Sequence, residues 1–276
     1  MTKKQATALL PDKPTQSIIN PARLCSMLIA IPKWGKTKFF MSNPNALLLA
    51  FEEGHKFQRG HKLIIDKWDE RRYETWKDEE GCTHLTAMQA VEVLEATDKF
   101  DMVIIDTVDM AGKFCSDYFT ERGRVEHLTD LGDYGKGWDI GQNSPFRKFL
   151  LRILKTGRGV AMITHTKVEI NKWTAGEKAR KECSLPGGIR KICESQADII
   201  MHGELGKKQP GARLRDRILV CEGDMDTLAG NRTNAMLPER YIVSPDNPWK
   251  QFTRFFNNPE STAKAEALFN KRMKRK

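Results

Sequence analysis

The sequence has no apolar run long enough to cross a bilayer. The longest, residues 27–31 and 46–51, fall far short of the roughly 20 residues a spanning helix needs. The N-terminal stretch MTKKQATALLPDKPTQ also lacks the apolar core of a signal peptide. Both absences exclude a membrane-embedded protein and predict an intracellular, cytoplasmic one. No CxxC pair occurs, and the cysteines at 25, 82, 115, 183, 193 and 221 are scattered. Reduced, mostly buried thiols are therefore expected. His and Cys never cluster at ligand spacing, so no zinc site is expected either. There is no internal repeat and no low-complexity tract.

What is present is a chain for a sizeable core. Its 276 residues are 39% apolar and 30% charged, with 13 Phe, 6 Trp and 4 Tyr, which excludes wholesale disorder and collagen. The length allows one or two domains and needs no disulfide or metal staple. Lys and Arg number 46 against 36 acids, a formal charge of +10. That balance favours polyanionic partners and says nothing about fold.

Short continuous apolar runs recur at 24–30, 46–51, 101–105, 159–164, 197–201 and 217–221. Such runs suit strands buried on both faces, as in a parallel sheet. Between them lie helical patterns. Residues 86–97 place apolar side chains at 87, 88, 91 and 94, and residues 146–154 at 146, 149, 150 and 153. Alternation of this kind predicts an α/β fold with a mostly parallel central sheet flanked by helices. The charged stretch 60–85 reads as an exposed insertion, with helix one option. Residues 121–145 read as a loop, and 166–190 as a second polar, basic one. The domain reading is an N-terminal arm at 1–21, a core at 22–257 and a basic C-terminal helix and tail at 258–276.

The first strand runs into Ala30-Ile31-Pro32-Lys33-Trp34-Gly35-Lys36-Thr37, followed by Lys38 and the apolar Phe39 and Phe40. This is the phosphate-loop pattern GxxxxGK[ST] with Ala30 in place of its first glycine. In such a loop backbone N–H groups wrap phosphates at a helix start, which makes residues 32–38 the candidate cofactor-binding stretch. Lys36 reaches the β- and γ-phosphates, and Thr37 offers its hydroxyl to Mg²⁺. The competing reading is a chance GKT before an ordinary helix. Alanine covers only part of glycine's conformational range, which predicts reduced affinity. Asp106 closes the strand MVIID, where it would hold Mg²⁺ in the Walker-B manner or cap the next helix. Glu52 and Glu53 close a neighbouring strand, at the end where α/β sheets bind ligands. Either could activate water, and either could be a solvated charge. His165 ends the strand VAMIT and reads as a γ-phosphate sensor or a plain loop histidine.

In their order these motifs resemble the RecA-type P-loop ATPase core, and most closely the small phage RecA-like ATPases of recombination and single-strand annealing. The resemblance spans roughly 22–243. It implies ATP and Mg²⁺ as cofactors, Lys36 and Glu52 as catalytic, Thr37 and Asp106 as metal-holding, and His165 in the place of the family's coupling glutamine. LGDYGKG at 131–137 resembles the family's first DNA loop, and SLPGGIRK at 184–191 the closing end of its second. These imply single-stranded DNA contacts from Tyr134, Lys136, Lys167, Lys172, Trp173, Lys178, Arg180 and Lys181, with Trp138 adding to that surface. Arg232 falls where the family supplies a cation to the neighbouring subunit's ATP, so a homo-oligomer, ring or filament, is implied. A surface salt bridge is the other reading of Arg232. A single-strand-binding protein or a nuclease remains open as a partner. The function expected is an ATP-dependent, single-stranded-DNA-binding recombinase or annealing ATPase, phage-encoded and acting in the host cytoplasm. Its rivals are a RecA-fold helicase or motor, and a DNA-annealing module that does not hydrolyse ATP.

Overall fold

Strand β1 (Cys25–Ala30) is buried at all six positions, because a strand of CSMLIA has no polar face to give to water. In this computed structural model the described residues are Gln5 and 19–273, except 71, 172–177, 207, 209–214, 225, 234 and 257. At 168–171 and 178–180 the description is of the backbone alone. Most of the arm at 1–21, Lys172, Trp173 and the last three residues of the tail lie outside it.

Two further strands follow the first helix, α1 (Lys36–Met41): β2 (Ala46–Ala50) and β3 (His61–Lys67). Next come β4 (Trp76–Lys77), β5 (Thr83–Thr86) and helix α2 (Ala87–Glu95). Then β6 (Met102–Asp106), α3 (Val108–Gly123), α4 (Ser144–Lys155), β7 (Gly159–Asn171), β8 (Lys178–Cys183) and α5 (Gly187–Gln196). The chain finishes through β9 (Ile199–Leu205), β10 (Arg217–Val220), β11 (Gly230–Asn231), β12 (Arg240–Ile242), α6 (Pro248–Arg254) and α7 (Pro259–Met273). The sheet order is β12-β10-β9-β1-β7-β6-β2-β3-β5-β4. From β9 to β5 every pairing is parallel, and antiparallel strands close both edges.

Alternate residues of β1 divide the core into two layers. Met27 and Ile29 face α2, α3, α4 and α5, where Val91, Val108, Phe149 and Ile189 are buried. Leu28 and Ala30 face α1 and α6, where Phe39, Phe40, Trp249 and Phe252 pack edge to face. The α4 pattern is as the spacing predicts: Phe146, Phe149, Leu150 and Ile153 are buried. Helix α2 opens on a capping box, Thr86 accepting from Gln89 N while Gln89 accepts from Thr86 N.

Three stretches differ from the sequence reading. The charged segment 60–85 is sheet and not a helical insertion. Ile64 and Ile65 of β3 are buried beside β2, and Trp68, Cys82 and Leu85 are buried with them. The segment 121–145 is helical rather than loop: α3 runs to Gly123, and short turns at Leu128–Leu131, Lys136–Trp138 and Asp139–Asn143 lead into α4. The described residues of the segment 166–190 form the β7–β8 hairpin and the start of α5. All six cysteines are buried and free. No helix among the described residues is long and apolar enough to cross a membrane.

His202 sits on β9 between β1 and β10 and is 1% exposed. Burial holds its pKa down at about 4, from 6.5. The unfolded chain takes up this proton near 6.5 and the folded chain only near 4. Its stabilising contribution is therefore whole above pH 6.5 and is lost as pH falls towards 4. Denaturant midpoints measured across that window should fall, and His202→Gln should flatten the fall.

Candidate phosphate and hydrolysis site

The carboxyl ends of β1, β6 and β2 lie beside the middle of β7, because Ala30 pairs with His165, Asp106 with Ile163, and Ala50 with Asp106. One end of the sheet thus collects the residues at or after the ends of three strands, together with His165 of β7. The loop after β1 folds around two left-handed positions, Lys33 at φ 64° and Gly35 at φ 100°. Ala30 lies in extended strand, so the motif's missing glycine is not a backbone requirement here. Its methyl group fits because the adjacent β9 residue is Gly203: a Cβ there would stand 2.7 Å from the Ala30 Cβ and 2.6 Å from the Trp34 ring. Trp34 does not face a ligand through its side chain. It is 1% exposed, and its Nε1 donates to Glu204 O at 2.8 Å, pinning the loop to β9. Pro32, Lys33 and Lys38 are exposed.

Lys36 is 6% exposed. Its Nζ donates to Ala30 O at 2.9 Å and Ile31 O at 3.3 Å, and stands 3.1 Å from His165 Nδ1. An ammonium can only donate, so Nδ1 accepts and the ring proton sits on Nε2. That atom lies 3.9 Å from Glu52 Oε1. The His165 ring therefore bridges the phosphate-loop lysine and the β2 carboxylate. Burial pulls the Lys36 pKa down, against Asp106, Asp109 and Glu52, which raise it.

Thr37 Oγ1 donates to Asp106 Oδ2 at 2.6 Å. Burial pushes the Asp106 carboxyl above its ordinary value, while the Thr37 hydroxyl opposes the rise. Glu52 is held below the ordinary carboxylate range, first by the His165 ring and also by the Thr107 hydroxyl, against partial burial. Thr107 Oγ1 donates to Glu52 Oε1 at 2.6 Å and also caps α3. Glu53 points away: its side chain is 88% exposed and pairs with Lys56. Of the two acids, only Glu52 reaches the cluster.

The chemistry of these groups suits a nucleoside polyphosphate with a divalent cation. Among the described residues, the N–H groups of Gly35, Lys36, Thr37 and Lys38 have no protein acceptor, and Lys36 brings the cation beside them. Thr37 and Asp106 present hard oxygen donors, as Mg²⁺ takes when it keeps most of its water. Arg232 is elsewhere. It follows β11, which pairs with the amino-terminal end of β9, and its guanidinium donates to Ser195 O at 3.3 and 3.4 Å and Glu194 O at 3.5 Å. That is the opposite end of the sheet, so Arg232 cannot serve this chain's own phosphate loop.

Residues assigned to nucleic acid divide similarly. Tyr134 is fully exposed at φ 52°, Trp138 is 43% exposed, and Lys136 is exposed. Lys167, Lys178, Arg180 and Lys181 lie on the β7–β8 hairpin. Lys181 is not a free cation, because it is ion-paired with Glu204. Trp138, from the first segment, and Pro186, from the end of the second, line one cavity of about 470 Å³ beside α3. The sequence reading passed over Thr107 and Asp109. Thr107 directly follows the Walker-B-like acid. Asp109 lies three positions on, and its Oδ1 accepts from Ser184 Oγ, which joins α3 to the end of the hairpin.

A loop closing on Gly-Lys-Thr after a central strand, with an acid ending the strand two places away, defines a P-loop nucleoside triphosphatase. The fold is an α/β one, with a mostly parallel central sheet flanked by helices. A family profile described as AAA domain matches residues 22–233, and the chain belongs to that family. No curated protein matches the chain. Among solved structures it is similar to a KaiC-like protein, PH0186, from the hyperthermophilic archaeon Pyrococcus horikoshii OT3. That chain is 14% identical, with 82% of this chain and 88% of that one covered, at a TM-score of 0.41.

An acid whose folded pKa is raised destabilises the fold once it ionises. The native state holds its proton longer than the unfolded chain, so stability falls as pH rises through the folded pKa. Above the folded pKa that cost is present in full. Asp106→Asn should therefore raise the melting temperature of the nucleotide-free protein, read by thermal scanning, while abolishing Mg²⁺-dependent hydrolysis.

Proposed function

We propose that this chain is an ATP-dependent, single-stranded-DNA-binding ATPase of recombination or strand annealing, working as a homo-oligomer. One observation carries the reading. Strand β7 passes the phosphate site at His165 and continues without a break to Asn171 as one arm of the β7–β8 hairpin. A change at His165 is thus transmitted along covalently continuous, hydrogen-bonded backbone to a segment bearing Lys167, Lys178 and Arg180. Cations of this kind track a phosphodiester backbone, and exposed aromatics such as Tyr134 and Trp138 stack on bases.

In this reading Lys36 gives up its contacts with Ala30 O and Ile31 O to neutralise the β- and γ-phosphate oxygens. Thr37 and Asp106 would hold Mg²⁺, which supplies charge neutralisation at the phosphates. Glu52 accepts a proton from the attacking water. Its Oε1 is occupied by the Thr107 hydroxyl, which leaves Oε2 to act as base. His165 senses the outcome because its ring touches the lysine on one side and faces the base on the other. In this reading Arg232, at the far end of the sheet, acts on a second copy's nucleotide.

The test is steady-state phosphate release with and without single-stranded DNA. DNA should stimulate release. Glu52→Gln should cut it by about 10²–10⁴-fold, the usual worth of a general base, and leave ATP binding intact. Lys36→Ala should remove both hydrolysis and the nucleotide response of DNA binding. Binding to DNA should weaken steeply with salt, as backbone-dominated binding does. Hydrolysis indifferent to DNA would defeat the DNA assignment, and directional strand displacement would favour a motor.

A further inference from the structure

Arg217 opens β10, at the same end of the sheet as the phosphate loop, because its partner Leu205 is the last residue of β9. Its side chain crosses β9 and lies against Gly35. A Cβ built on Gly35 would stand 2.8 Å from Nη1, 2.9 Å from Cζ and 3.3 Å from Nη2 of the guanidinium. Gly35 is thus glycine for two reasons: its φ of 100°, and the arginine lying over it. Among the described residues no carboxylate or carbonyl engages this guanidinium. The acid beside it in sequence, Asp216, is paired with Arg272 of α7 at 2.9 Å. A half-buried guanidinium with several donors and no acceptor among the described residues lacks its counterpart there. Among the same residues the N–H groups it neighbours, Gly35 to Lys38, are also without acceptors.

We propose that Arg217 is a second phosphate-binding cation of this site, supplied by the same chain from β10, and that it takes the polyphosphate of a nucleoside di- or triphosphate. The proposal rests on the nucleotide part of the preceding reading and not on DNA. Lys36 enters from the loop's own helix, next to β7. Arg217 enters from the opposite side, over β9. The phosphates are held between the two, and the planar fork of arginine suits their oxygens in a way an ammonium does not. Trp34 keeps β9 and the loop at fixed distance, so the guanidinium is carried to the site by a braced edge.

The experiment is isothermal titration with ATP, ADP and AMP, without DNA, on the wild type, Arg217→Ala and Arg217→Lys, with melting temperatures as the folding control. Arg217→Ala should weaken ATP binding about ten- to a hundredfold, the span of one charge-assisted hydrogen bond. The loss should shrink from ATP to ADP and nearly vanish for AMP. Arg217→Lys should fall between the alanine variant and the wild type. A folded Arg217→Ala that binds ATP as tightly as the wild type would overturn the proposal. So would an equal loss for ATP and AMP, which would make Arg217 a cover for Gly35. A wild type that binds no ATP would overturn the nucleotide reading itself, and the proposal with it.

Discussion

Lys36 is 6% exposed, and a buried charge left without partners costs on the order of several kcal/mol. The carboxyl end of the sheet answers that cost. The carbonyls of Ala30 and Ile31 accept from the ammonium, and a histidine on β7 accepts a third hydrogen bond from it. Asp106 and Glu52 stand near enough to raise its pKa against burial. No stretch of local sequence could assemble these groups. They arrive from strands at positions 25–30, 46–50, 102–106 and 159–171, and only parallel pairing in the order β1-β7-β6-β2 brings them to one edge. The sheet order and the compensation of one charge are the same fact at two scales.

Much of this was legible in the sequence, for a physical reason. Strands buried on both faces must be continuously apolar, so MVIID and VAMIT announce themselves. The Gly35-Lys36-Thr37 step and the acid at 106 follow from the chemistry of phosphate. The rest was hidden where tertiary contacts outweigh local pattern. Strand β3 has only Leu63, Ile64 and Ile65 between charged neighbours, and its identity comes from the ladder with β2. The turns between Leu128 and Asn143 look like loop because Gly and Asp recur among their residues, yet Gly137 and Gly141 are there to let segments close on Leu128. Arg217 carries no local signal at all, since its position over Gly35 depends on antiparallel register. Glu52 and Glu53 are adjacent and alike in sequence, and only the end of β2 decides which one turns inward.

The phosphate loop also shows how a motif can change its letters and keep its shape. Backbone strain falls on Lys33 and Gly35, not on the alanine that replaces the first glycine. The room that glycine would have provided is found on another strand, at Gly203. Trp34 fills the remaining space and donates a hydrogen bond to β9. The loop is therefore held by side-chain packing as much as by its own backbone.

The same strand order governs how the molecule can be made. Strand β1 is synthesised well before its partners, residues 160–165 and 199–203. Until those are synthesised, a fully apolar strand has no ladder and no cover. Non-local parallel pairing of this kind is slow, since loop closure precedes any reward. The loop that follows β1 is thus translated long before the partner strands that give it its shape. During that interval CSMLIA is the segment most in need of a chaperone's protection.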